Sequence, residues 1–243
     1  MQDIERLPTG IAGFDDIIAG GFPKGSLNVL NGPAGSAKTT FSLSFLYNGA
    51  KQGDVGIYLS VEESRESLLT GAKNVGMDIE ALEKGGKLYL IDLGGMMREK
   101  VTTEEDTKRE LVGFKTLQAF LERFAQQTKV KRVVIDSLTA IAIYYEREEE
   151  FRQEIFRFSR FLKRKGITTV LISEAVSRDG VITKYGMESF IGDSFIVLGL
   201  DKKEGEYRRT VTVLKMRHTK HDTGTHPFLI TESGLEVASE VEI

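Results

Sequence analysis

The stretch from Gly32 to Thr40 constrains the fold of this chain more than any other part of the sequence. A short apolar run at residues 27–30 precedes it and predicts a buried strand, and a helical pattern begins at Phe41. Between a strand and a helix, backbone N–H groups and the positive end of the helix can hold phosphate oxygens. The stretch therefore predicts a phosphate-binding loop that consists of Gly32, Pro33, Ala34, Gly35, Ser36, Ala37, Lys38, Thr39 and Thr40.

Two side chains of this loop have specific expected roles. Lys38 is placed to reach the β- and γ-phosphates of a nucleotide, and the hydroxyl of Thr39 is placed to ligate Mg²⁺. ATP or ADP together with Mg²⁺ are therefore the predicted cofactors.

The loop departs from the usual pattern G-x-x-x-x-G-K-[ST], because Ala37 stands where the second glycine is expected. If this position needs a positive φ, alanine adds strain of about 1 kcal/mol or more. If it belongs to the first helical turn, alanine costs nothing. The sequence leaves both alternatives open.

Composition sets broad limits on what the chain can be. The 243 residues are 40% hydrophobic and 28% charged, with a net charge of −3, as in an ordinary globular protein with no general attraction to nucleic acid. The chain has no cysteine, which excludes disulfides and cysteine-based chemistry. No apolar run approaches the roughly 18 residues of a membrane span, and the first residues are not a signal peptide. We expect a cytoplasmic protein without a membrane partner.

Apolar runs alternate with helical periodicities along most of the sequence, which predicts an α/β fold. We expect a mostly parallel central sheet flanked by helices, with antiparallel strands added toward the C-terminus, in one domain over residues 1–243. Beyond the strand before the loop, the predicted strands are 55–61, 88–93, 133–136, 167–173, 194–200, 207–216 and 227–230. The predicted helices cover residues 14–19, 65–75 and 79–84, with longer helices near 114–124 and 151–165.

Acidic residues follow two of these strands. Asp136 ends a buried strand, at the position from which a carboxylate holds the Mg²⁺ shell in phosphate-loop enzymes. Glu62 and Glu63 follow the strand 55–61. Because ligands of parallel sheets bind outside the carboxyl ends of the strands, these groups are expected at one site with Thr39 and with Glu174, which follows the strand 167–173.

The segment 94–110 is charged, contains Gly94-Gly95 and has no steady period. We predict a mobile loop, either a lid or partner contact or a solvated surface excursion.

Several motifs taken together resemble one family, the RecA-fold ATPases related to the clock protein KaiC. They are the run Thr9–Gly25, the phosphate loop with residues 41–49, Tyr58–Ser64, Val133–Ser137, Lys215-Met216-Arg217 with His221, and His226–Thr231. The resemblance covers nearly the whole chain, which corresponds to one domain where KaiC has two in tandem.

The resemblance implies roles for further residues. Glu62, with Glu63 beside it, would activate the attacking water. Lys215 and Arg217 would act on the nucleotide of a neighbouring subunit in a ring, which we expect to be a hexamer, and Arg209 and His221 would make similar contacts between subunits. A cationic group acting in this way stabilises charge in the transition state.

The resemblance does not extend to the residues that the clock protein phosphorylates on itself. The Ser-Thr pair that the second domain of the clock protein phosphorylates reads Ser189-Phe190 here, so the threonine acceptor is missing. The resemblance therefore gives no support for autokinase activity.

Three functions from different classes follow. The first is a Mg²⁺-dependent ATPase that forms a homo-oligomeric ring and acts as a switch coupled to an unknown protein partner. The second is a regulatory module that binds nucleotide without hydrolysing it. The third is a recombinase-like protein acting on DNA or RNA through the loop 177–192, which is nearly neutral and poor in aromatic residues, so nucleic acid is the less favoured partner.

Overall fold

The structure is a computed structural model that describes residues 4–99, 113–174, 188–203, 205–232 and 234–239. Eleven strands occur in these ranges, and their bounds follow in chain order. They are β1 (Arg6–Leu7), β2 (Phe22–Pro23), β3 (Leu27–Gly32), β4 (Val55–Ser60), β5 (Leu88–Asp92), β6 (Val130–Asp136), β7 (Thr168–Glu174), β8 (Ser194–Lys203), β9 (Glu206–Met216), β10 (Thr225–Thr231) and β11 (Gly234–Val237).

Nine of the described strands form one sheet in the order β11-β10-β9-β8-β3-β7-β6-β4-β5, and β1 pairs with β2 separately. The strands from β8 to β5 in this order are parallel, whereas β9, β10 and β11 are added in antiparallel pairs. The predicted fold class is confirmed. The strand β3, which leads into the phosphate loop, lies inside the parallel block between β7 and β8.

Helices cover both faces of this sheet, as the continuously apolar strands require. Those in the described ranges are α1 (Phe14–Ile17), α2 (Lys38–Lys51), α3 (Arg65–Asn74), α4 (Ile79–Lys84), α5 (Leu93–Glu99), α6 (Phe114–Ala125), α7 (Leu138–Ala142), α8 (Glu148–Lys165) and α9 (Glu188–Ile191). One apolar core lies between the sheet and helices α1 to α4, and a second between the sheet and α6 to α8. None of the described helices has the length and apolarity needed to span a bilayer.

The helix α8 shows how local sequence sets element bounds. Three glutamates occupy its first turn and three basic residues its last, matching the helix dipole at both ends. Gly166 then ends the helix in the left-handed conformation, with φ of 67°. The basic run at residues 163–165 is thereby explained within the fold.

Several details differ from the sequence prediction. The prediction of a loop from Gly94 was wrong at its start, because Leu93–Glu99 is helical despite two glycines. The rest of that segment, residues 100–110, lies outside the described residues. The short elements β1, β2, α7, α9 and β11 were not predicted, because runs of two to five residues are too short for a periodicity to be recognised.

A buried ion pair joins the sheet to α2 beside the core. Arg132 in β6 is fully buried, and its Nε donates to Asp54 Oδ2 at 2.9 Å. Its Nη1 donates to the carbonyl oxygens of Pro8 and Phe45 at 2.8 and 3.0 Å. The side chain crosses α2 at Gly49, where a Cβ would lie 2.1 Å from Arg132 Nε. The guanidinium is thus paired and hydrogen-bonded, which a buried charge requires.

Candidate functional site

The phosphate loop connects the carboxyl end of β3 with the first turn of α2. Lys38 is the first residue of the helix, so Thr39 and Thr40 lie in its first turn, where N–H groups are free of helical partners. Ala37 is the N-cap residue and is left-handed, with φ of 70° and ψ of 30°. The sequence left open whether position 37 needs a positive φ. The structure has a positive φ there, so the alanine is strained.

Replacement of Ala37 by glycine is expected to raise the free energy of unfolding by about 0.5–1 kcal/mol. The gain is smaller than the full cost of a left-handed alanine, because glycine also loses more backbone entropy on folding. In a protein of this size, the midpoint of thermal unfolding should rise by about 2–4 °C per kcal/mol. Differential scanning calorimetry measures this directly.

The matched control is Ala34→Gly in the same loop. Ala34 is exposed and has no positive φ, so glycine brings only the entropic cost there and should lower the midpoint. A fall in the midpoint for Ala37→Gly as well would contradict the strain at Ala37.

A cleft of about 350 Å³ opens at the loop, between the carboxyl ends of β3, β4, β6 and β7. It is lined by Ala34, Gly35, Ala37, Lys38, Thr39, Thr40, Glu62, Glu63, Asp136, Ser137, Ile172, Glu174, Arg209 and Ile230. The strand ends thus bring together six of the nine predicted loop residues, all but Gly32, Pro33 and Ser36, with the predicted carboxylates of Glu62, Glu63, Asp136 and Glu174. The volume is at the lower end of the range for small-molecule sites.

Lys38 folds back over the loop. Its Nζ donates to the carbonyl oxygens of Gly32 and Pro33, at 2.8 and 3.0 Å. Burial lowers the pKa of Lys38, while the carboxylates of Glu174, Asp136 and Glu62 act in the opposite sense. The ammonium group therefore lies at the loop with acidic groups around it.

Asp136 ends β6 beneath the loop and is almost completely buried. Its Oδ2 accepts a hydrogen bond of 2.5 Å from the hydroxyl of Tyr58 in β4. Burial raises the pKa of Asp136 to about 6, and the carboxylates of Glu62 and Glu63 add to the rise, against the effect of Tyr58 and Lys38. A cation placed here would favour the ionised form of this carboxyl group.

Glu62 and Glu63 follow β4 but have different surroundings. Glu62 is exposed, and its Oε1 accepts a hydrogen bond of 3.2 Å from Ser137 Oγ. Ser137 itself is fixed as the N-cap of α7, accepting from the N–H of Ala140. Glu63 instead accepts a 2.6 Å hydrogen bond from Ser67 Oγ in α3. Of the two, Glu62 is the one oriented by a residue that follows Asp136.

The four residues predicted to reach a neighbouring subunit divide into two groups. Arg209 lies at the phosphate loop of its own chain, where its Nε donates to the carbonyl oxygen of Gly35 at 3.2 Å. The other three, Lys215, Arg217 and His221, do not line the cleft.

The contacts of this second group are local. Lys215 Nζ donates to the carbonyl oxygens of Ser189 and Gly192, at 2.7 and 2.8 Å. Arg217 is half exposed, with Nη1 3.8 Å from Asp193 Oδ1. His221 Nδ1 lies 3.2 Å from the carbonyl oxygen of Thr219. No neighbouring copy is needed for these contacts, and their predicted role between subunits stays a prediction.

Sequence reasoning gave no role of their own to two residues at this site. Ser137 lines the cleft, and Tyr58 lies at its buried floor. The available signals were the serine directly after Asp136 and a phenolic hydroxyl in an otherwise apolar strand, which needs a partner when buried. Glu174, which was expected at the strand ends, also lines the cleft.

The chain is similar to a known protein family and to a solved structure. The profile of a protein family described as "ATPase: KaiC" matches residues 7–242. Among solved structures, a KaiC-like protein from the hyperthermophilic archaeon Pyrococcus horikoshii OT3 is similar, with 33% identity and a TM-score of 0.81 over 97% of this chain and all of that one.

Curated relatives are similar at the level of sequence. The circadian clock oscillator protein KaiC of Synechococcus elongatus is 36% identical over 97% of this chain, and that of Parasynechococcus marenigrum is 36% identical over 98%. The chain spans 44% and 45% of the length of these two proteins, a little under half.

Proposed function

Because the chain belongs to the KaiC family of ATPases, we propose that it binds ATP with Mg²⁺ and hydrolyses it in a homo-oligomeric ring. We take residues 1–243 as one ATPase domain of this ring. The observation that carries the proposal is the convergence in one cleft of the phosphate loop, Lys38, Asp136 and Glu62.

The residues present fit a magnesium ion bound together with phosphate. Thr39 offers a hydroxyl and Asp136 a carboxylate at the same end of the cleft, and both interact with the Tyr58 hydroxyl. The described residues hold no cluster of three or more His, Cys, Asp or Glu side chains suited to a metal. Such a sparse donor set suits Mg²⁺, which keeps several waters and takes its other ligands from the nucleotide. When bound, the ion would neutralise charge on the phosphate oxygens.

Different residues of the protein would bind the phosphates and activate the water. The loop N–H groups and Lys38 would hold the β- and γ-phosphates. Glu62 would orient the attacking water and accept its proton, since it is exposed at the cleft and held by Ser137. Glu63, already bonded to Ser67, would be the less direct participant.

The ring, which we propose to be a hexamer, is supported by the cations outside the cleft. Lys38 and Arg209 line the cleft, whereas Lys215 lies near the other end of β9 and Arg217 directly after it. We propose that a second copy brings these two residues to the nucleotide. Exposed apolar side chains on β9 and β10, namely Tyr207, Leu214 and Leu229, support a contact between copies on this side of the sheet.

The test is ATP turnover per subunit as a function of protein concentration, with Mg²⁺ present. If the site is completed by a second copy, specific activity should rise with concentration and then saturate, because assembly is a mass-action equilibrium. If specific activity is measurable and does not change with concentration in the range where sedimentation shows only monomers, the site is not completed by a second copy.

A second candidate is a regulatory module that binds nucleotide without hydrolysing it, and the left-handed Ala37 favours it. Turnover at the level of a buffer blank at every concentration, with clear thermal stabilisation by nucleotide, would select this candidate.

Other expectations stay predictions. The coupling to a partner protein and the cytoplasmic location come from the sequence alone. The recombinase-like alternative depended on the loop 177–192, of which residues 177–187 lie outside the described residues.

A further inference from the structure

The buried hydroxyl of Tyr58 lies within the proposed metal site although its strand belongs to the core. Tyr58 is fully buried among the apolar side chains between the sheet and α2. In the parallel pairing of β4 with β6 it lies opposite Val134, so Asp136 follows two residues later on the same face. The Tyr58 hydroxyl donates to Asp136 Oδ2 at 2.5 Å.

The same hydroxyl contacts the other predicted metal ligand. The side chain of Thr39, in the first turn of α2, also interacts with it. One phenolic group therefore connects the end of β6 with the start of α2. In the described residues, no other side chain is hydrogen-bonded to the Asp136 carboxylate, so the orientation of that carboxylate depends on Tyr58.

A purely structural role would be served equally well by phenylalanine. A phenylalanine ring would fill the same space in the core without burying a polar atom. The hydroxyl instead brings a donor to a buried acid, and charge-assisted bonds of this kind are short and strong. Groups that hold metal-ligating carboxylates in this way typically change metal affinity or activity by about 10- to 100-fold when removed.

We propose that Tyr58 is a positioning residue for divalent-cation binding, holding the Asp136 carboxylate and the Thr39 hydroxyl in the arrangement that receives the cation with the nucleotide. This inference rests on the proposed function, because it assumes a nucleotide with a cation at the cleft. Tyr58 acts through Asp136 and Thr39 and does not itself contact the reacting atoms.

The test uses Tyr58→Phe and a fluorescent ADP derivative. The dissociation constant of the derivative is measured with saturating Mg²⁺ and again with EDTA. The EDTA value divided by the Mg²⁺ value reports the coupling between cation and nucleotide. We expect Tyr58→Phe to reduce this ratio by about 10- to 100-fold and to leave the affinity in EDTA unchanged. Tyr89→Phe is the matched control, since Tyr89 lies in the next strand, with its ring packed on Phe124; it should alter neither value.

A double-mutant cycle separates positioning from packing. In an Asp136→Asn background, Tyr58→Phe should reduce the ratio no further, because the two residues act as one unit. Equal ratios for wild type and Tyr58→Phe, or full additivity in the cycle, would overturn the inference while leaving nucleotide binding intact. Failure of the wild type to bind the derivative under any condition would instead reject the proposed function, and this inference with it. Thermal unfolding of each variant confirms that it is folded.

Discussion

The change of Glu62 to glutamine is expected to reduce ATP turnover by about 10²- to 10⁴-fold, the usual contribution of a positioned base. Glutamine has the same size and keeps an oxygen that can accept the hydrogen bond from Ser137 Oγ. It cannot accept a proton from the attacking water. Steady-state phosphate release measures turnover, and the affinity for a fluorescent ADP derivative should stay close to that of the wild type.

Glu63→Gln is the control, because Glu63 neighbours Glu62 in sequence and also lines the cleft. Its carboxylate is bonded to Ser67 Oγ, and glutamine preserves that acceptor, so turnover should change much less. If Glu63→Gln caused the larger loss, the assignment of the base would move to Glu63. If Glu62→Gln kept full activity, neither the geometry around Ser137 nor the family resemblance would identify the base.

The second large effect is expected from Arg217→Ala. If the guanidinium of a neighbouring copy stabilises charge in the transition state, its removal should reduce turnover by about 10³- to 10⁵-fold. Arg217 is half exposed, and its ion pair with Asp193 is long at 3.8 Å, so its removal should disturb the fold little. Lys215 is a poorer test, because its ammonium also holds the carbonyl oxygens of Ser189 and Gly192.

Mixing two inactive variants tests whether Arg217 acts between subunits. In rings that contain both Glu62→Gln and Arg217→Ala copies, a site formed by the Glu62 of one variant and the Arg217 of the other is intact. Random mixing in equal amounts should restore about one site in four. An intact site needs an Arg217→Ala copy to supply Glu62 and a Glu62→Gln copy beside it to supply Arg217, and each position has the required copy half of the time. Turnover is measured after the two variants have exchanged subunits.

Arg208→Ala is the matched control for the mixing experiment. Arg208 is an exposed arginine on β9, the strand that ends one residue before Arg217, and it pairs with Asp201 of β8 in the sheet register. It should have nearly full activity alone. Absence of any recovery in mixtures whose subunit exchange is shown by mass spectrometry would place Arg217 outside its neighbour's site.

The parallel part of the fold could be predicted because its strands are long apolar runs between clear helical patterns. The strand 55–61 and the helix 79–84 differ from the observed β4 and α4 by one residue at most. The helix Leu93–Glu99 was missed since glycine has low helix propensity, which tertiary packing overrides here. The position of β3 between β7 and β8 depends on pairing across long sequence separations, which no local pattern records.

The candidate site, too, could be predicted from the sequence only in part. The phosphate loop and Asp136 have local signals, namely a glycine-bearing turn and an acid after a buried strand. Whether Ala37 is left-handed depends on the angle between β3 and α2, and the sequence does not contain that angle. The contacts of Tyr58 with Asp136 and of Ser137 with Glu62 join elements about 75 to 80 residues apart, so only the assembled sheet reveals them.

The crossing of Arg132 over α2 has a consequence for how this sequence can vary among related proteins. A side chain at position 49 would occupy the space of the guanidinium, since even a Cβ would lie 2.1 Å from Arg132 Nε. Loss of Arg132 alone would leave the carboxylate of Asp54 buried with one partner fewer. Positions 49, 54 and 132 are therefore expected to change together, so that a relative with a larger residue at 49 should lack both the arginine and the acid.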